Sequence, residues 1–160
     1  MEVVMQTENA FGPTILAFRR TFVGVQVARL LMLLPEQVSA RYADKHPELS
    51  RTEVQARHCE MVRFLFVAAT HEGDLTPSPV VDEVWHNFVL FTKLYAPWCN
   101  EHLLGVMVHH DPCIGLRSTE EAASSLQTAE LMQSLGGDAE FWPVVMSERP
   151  CGSSTCKKLV

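Results

Sequence analysis

Two helix starts separated by a short proline loop constrain this chain more than any other feature. Ser50 and Glu53 stand three residues apart ahead of a periodic apolar run. This is the capping-box pattern, in which each side chain serves a free amide of the other's backbone. Behind it Val54, His58, Met61, Leu65 and Ala68 follow one helical stripe, which predicts a helix over 51–71 ended near Gly73. The stretch "GDLTPSP" (73–79) predicts a loop whose prolines open the next helix, with Thr76 or Ser78 as N-cap. That helix is predicted over 79–96, with Val81, Val84, Trp85, Phe88, Thr92 and Tyr95 on one side. Two apolar stripes joined by so short a loop must pack together.

The remaining elements follow from similar punctuation. Residues 1–13 read as a weakly ordered lead-in, and 14–24 are apolar without separating helix from strand. Helix is predicted over 25–34, and "PEQVSARYADKH" reads as a short amphipathic helix stopped by Pro47. Pro97 marks a kink or a new start, "WCNEHLLG" makes another turn or two, and "VMVHHDP" could be extended. A further helix lies in "STEEAASSLQTAELMQSL", with a capping box at Ser118 and Glu121 and a C-cap at Gly136-Gly137. From residue 147 the chain has too few apolar residues to pack and reads as a mobile tail. The expected fold is therefore mainly α: one compact helical bundle over 14–146, an irregular N-terminal segment, and a flexible tail over 147–160.

Composition narrows the function classes. A net charge of -6 argues against a nucleic-acid partner, because neutralising phosphates needs clustered Lys and Arg. The most apolar run, Phe22 to Leu34, is shorter than the roughly 20 residues a bilayer span requires, so no membrane partner is expected. The N-terminus carries Glu2 and Glu8 in place of a basic leader, so the chain reads as soluble and cytoplasmic. Five cysteines, an odd count without a CxxC pair, favour reduced thiols over a disulfide framework or a local zinc motif.

The candidate chemistry lies in "VDEVWHNF" (81–88) and in His109-His110-Asp111-Pro112. On a helix Asp82 and His86 fall about 40° apart and one turn apart, so the carboxylate can orient the imidazole. Such a pair serves a metal second shell, a general base or a structural hydrogen bond, and Asp82 in a first turn also stabilises the helix dipole. Adjacent histidines in a turn can send one ring inward. His58, on the apolar stripe of its helix, reads as a satisfied core histidine, and Cys99 as a small buried hydrophobe.

The stretch 53–112 resembles the glycine-rich domain-containing protein-like family, an uncharacterised group of helical proteins. The resemblance rests on "RFLFVAA" (63–69), "PSPVVDEVWH" (77–86), Thr92, Tyr95, Cys99, Gly105 and "HHDP" (109–112), and "CGSSTC" resembles some members' tails. Where many members have Trp-His-x-His, this chain has Phe88 at the last position. The resemblance implies Asp82, His86, Cys99, His109 and His110 as site candidates and implies no reaction.

Three readings follow. The favoured one is a binding or structural module with a buried Asp/His/Cys cluster that bridges helix 79–96 to the HHDP turn, with Trp98 and Trp142 as exposed contacts for a protein partner. The alternative is a metal-dependent site, zinc being the metal such N/S/O donors take, with an open position for hydrolytic chemistry. The third makes Cys99 a nucleophile with a nearby histidine as base.

Overall fold

The computed structural model describes residues 12–112, 119–144 and 154–159. In chain order the elements are α1 (Gly12–Met32), α2 (Glu36–Lys45), α3 (Arg51–Thr70), α4 (Pro79–Val89), α5 (Thr92–His102), β1 (Met107–Pro112), α6 (Thr119–Ser134) and β2 (Ser154–Leu159). The mainly α bundle expected from the sequence is the fold observed.

α3 is the central element. Its capping box forms as the sequence predicts: the Ser50 hydroxyl accepts from the Glu53 amide, and the Ser50 amide donates to Glu53 Oε2 at 2.7 Å. From Glu60 to Ala69 every residue of α3 is buried, so this half of the helix needs cover on all sides. α1, α2, α4 and β1 supply it. Phe64 stacks on Trp142 and meets Trp85, with ring centroids 6.0 and 5.5 Å apart.

Within its apolar run α3 carries two charges, and the fold pairs them. Arg63 donates to the Glu60 carboxylate one turn away and to the Leu135 carbonyl at the end of α6. The Trp142 indole donates to Glu60 Oε2 at 2.8 Å. The chain reaches that position through the expected glycine C-cap. Gly136, at φ +90°, donates to the Gln133 carbonyl, and Gly137 donates to the Met132 carbonyl, the reciprocal Schellman pattern. A Cβ on Gly137 would lie 2.9 Å from Trp142 Cδ1, so only glycine lets the indole close onto α3.

Two elements differ from expectation. The helix predicted over 79–96 is broken at Leu90 and Phe91, and Pro97 lies inside α5 without ending it. On one continuous helix Trp85 and Tyr95 would stand roughly 15 Å apart along the axis. The break folds α5 back so that the Trp85 indole donates to the Tyr95 hydroxyl at 2.9 Å. Residues 154–159, within the stretch read as a tail, form β2, which runs antiparallel to β1 with Met107 opposite Leu159 and His110 opposite Cys156. A ladder is made by backbone groups, which the sparse apolar content of the tail does not remove. Residues 12–24 are part of α1, the rest of the lead-in lies outside the described residues, and so do Ser118 and residues 145–153.

Two predictions test this packing. Glu60→Ala leaves Arg63 buried without its carboxylate and Trp142 without its acceptor, and should cost about 3–5 kcal/mol in urea denaturation. Glu60→Gln, which keeps an acceptor for the indole, should cost less. His58 is buried, and its Nδ1 donates to the Val54 carbonyl at 2.7 Å while Nε2 meets no partner among the described residues. Burial lowers its pKa below the ordinary 6.5. The unfolded chain therefore binds the proton more readily, so this group's stabilisation is full above pH 6.5 and is lost as pH falls from there through the lower folded value. His58→Leu should flatten that acid limb in melting curves recorded between pH 7.5 and 5.

Candidate functional site

Asp82 lies in the first turn of α4, behind a Ser78 N-cap whose hydroxyl accepts from the Val81 amide. That position favours a carboxylate through the helix dipole. Its Oδ1 is 3.1 Å from His110 Nε2, and both side chains are largely buried. That oxygen makes no hydrogen bond among the described residues, so the two groups meet as close polar neighbours. The period of two along β1 decides which histidine turns inward. Val108 and His110 share a face, and Val108 is fully buried, whereas His109 lies on the opposite face across from Lys157. The His110 ring stands edge-on to Trp85 at 4.6 Å and has the His86 ring at 5.2 Å.

Cys99 belongs to a second set of contacts, joined to the first through Trp85. It is fully buried, and burial pushes its thiol pKa up, against the weaker opposing pull of hydrogen bonds to Tyr95 and the Val108 backbone. The Tyr95 hydroxyl accepts from Trp85 and donates to the Val108 carbonyl. A thiol with its pKa raised in an apolar wall is a poor nucleophile, which removes the reading of Cys99 as a catalytic group.

These two sets correct the expected cluster. Asp82 and His110 touch, His86 is exposed at their rim, His109 faces the other way, and Cys99 is bound up with Tyr95. Among the described residues no group of three or more His, Cys, Asp or Glu side chains is placed to hold a metal ion. The zinc-type site, its hydrolytic chemistry and the joint Asp/His/Cys cluster are therefore overturned. The cause is geometric: alternation along β1 parts the two histidines, and helical spacing within α5 sets Cys99 one turn from Tyr95. Trp98 and Trp142, expected as exposed partner contacts, are both buried, and the Trp98 indole donates to the Leu33 carbonyl.

Several polar positions were not singled out by sequence reasoning. Glu83 accepts from the Tyr42 hydroxyl and meets His46 Nε2 at 3.1 Å, joining α4 to α2. Asn87 accepts from Arg41 and donates to the Val38 carbonyl. Glu60 and Arg63 carried a readable signal, two opposite charges one turn apart in the apolar run "CEMVRFLFVAA". A cleft of about 280 Å³ opens beside His71, Asp74 and Ser124, but the Ser124 hydroxyl is engaged by Thr76 Oγ1 at 2.9 Å.

The fold and these contacts define a class: a helical bundle with a histidine-bearing β-ribbon held on α4 by an Asp–His contact. The chain belongs to the UCP032817-like family, whose match covers residues 24–134. No curated protein and no solved structure matches it.

Asp82→Ala and His110→Ala should each lower stability by about 0.5–3 kcal/mol, since either change removes a largely buried side chain from the contact between α4 and β1. Their double-mutant cycle should show coupling of at least about 0.5 kcal/mol. His86→Ala, at an exposed position, should stay within about 0.5 kcal/mol of the parent protein.

Proposed function

We propose that the protein acts as an assembly factor, docking another protein on the outward face of α1. The observation that carries this reading is the exposure of Ile15, Phe18, Phe22, Val25 and Met32, each about half or more exposed, along a helix whose buried residues lie on its other side. Of the five, Phe22 also meets the bundle, its ring 6.0 Å from that of Phe66 on α3. Val23, Val27 and Leu30 are its buried residues, and residues 12–22 contain none. A contiguous apolar face of this kind on a folded chain marks an interaction surface. Scattered apolar side chains would carry no such meaning.

Among the described residues no helix is long and apolar enough to cross a membrane. We place the protein in the cytoplasm, a reading supported by the unbridged thiols of Cys59 and Cys99. Kinship with the glycine-rich domain-containing protein-like group is part of the same proposal. It is supported by Asp82, Trp85, Tyr95, Cys99 and His110, the quoted motif residues, gathering around β1.

The double substitution Phe18→Ser/Val25→Ser tests the docking role. It should leave the folded protein's stability within about 0.5 kcal/mol per site, because these side chains are exposed. Affinity capture from the native cell, compared between parent and variant, should lose specific proteins with the variant. An identical set of captured proteins from a variant of unchanged stability would show that the face has no docking role.

A further inference from the structure

The spacing and charge of the α1 face identify the kind of partner it takes, an inference that rests on the docking role proposed above. Positions 15, 18, 22, 25, 29 and 32 are separated by three, four, three, four and three residues. That is the a/d spacing of a coiled-coil seam, which another helix fills by seating its own side chains between these knobs. The occupants are Ile15, Phe18, Phe22, Val25, Arg29 and Met32. The five apolar ones are each about half or more exposed, so a partner helix has apolar surface to cover along the whole seam. The first eleven residues of α1 contain no buried side chain. A second helix along the seam would cover them.

Charge selects among helical partners. α1 carries Arg19, Arg20 and Arg29 and no acidic residue, in a chain whose net charge is -6. Arg29 lies within the seam, held by neutral acceptors, the Gln26 side chain and the His102 carbonyl. The ion pairs among the described residues use none of the three arginines. A second copy of α1 would set three arginines against three, whereas a helix with acidic flanks would match them. We infer that α1 docks an amphipathic helix of another protein, apolar at the same three-four spacing and acidic along its flanks, with Arg29 reading a carboxylate opposite it.

The test uses two synthetic 21-residue peptides with leucine at three-four spacing, one flanked by glutamate and one by lysine, each carrying a fluorophore. Fluorescence anisotropy with the full chain at low salt should show the glutamate peptide binding about tenfold or more tightly than the lysine peptide, with the gap shrinking in high salt. Phe18→Ser/Val25→Ser should abolish binding of both, and Arg29→Glu should narrow the glutamate preference severalfold. Equal binding of the two peptides, or binding of neither, would overturn the acidic helix as the occupant. If cellular partners were still lost with Phe18→Ser/Val25→Ser, the docking role itself would stand. Light scattering and sedimentation with phosphatidylserine vesicles cover the other occupants. A dimer that Phe18→Ser/Val25→Ser returns to monomer would assign the seam to a second copy. Vesicle binding lost with the same variant would assign it to a lipid surface. Either result would overturn the inference.

Discussion

The structure depends on burying the C-terminal half of α3. A helix apolar around its whole circumference cannot rest on a single neighbour, and the surrounding elements are arranged to close it in. This requirement explains the short loops on either side of α3, which keep α2 and α4 within reach of it. It also explains the glycine turn after α6, which returns Trp142 to the same helix.

Enclosing α3 brings polar groups inside, where an unpartnered group is costly because water is excluded, and most of them are placed beside one another. Glu60 meets Arg63 and Trp142, Asn87 meets Arg41 and Val38, and Asp82 meets His110. Each of the first two links joins elements that the chain connects only through intervening segments. The third fastens β1 to α4. The motif residues thus specify how a short strand is held against a helical wall.

α1 departs from this economy. Its buried residues all lie on the inward stripe, while the outward stripe, which touches the bundle at Phe22 and Arg29, is largely apolar, exposed and spaced for a helix. Internal packing does not account for that second stripe. Ile15, Phe18 and Phe22 precede residue 24, where the family match begins, so half of the outward stripe lies outside the matched region.

Local sequence signals determined much of the fold. The Ser50–Glu53 box, the Ser78 cap and the Gly136–Gly137 stop each act within one turn of the backbone, and each forms as its residues dictate. The inward burial of His58 was also legible, since helical periodicity places it on the core side. Tertiary structure alone decided which polar residues meet. Asp82 finds His110 in preference to its helical neighbour His86 because strand alternation and the seating of Val108 turn His110 inward. Trp85 finds Tyr95 because the chain breaks at Leu90–Phe91, where no proline or glycine announces it. Spacing along one helix fixes angles within that helix, but contacts between elements depend on where each break and crossing falls, and those are set by packing around α3.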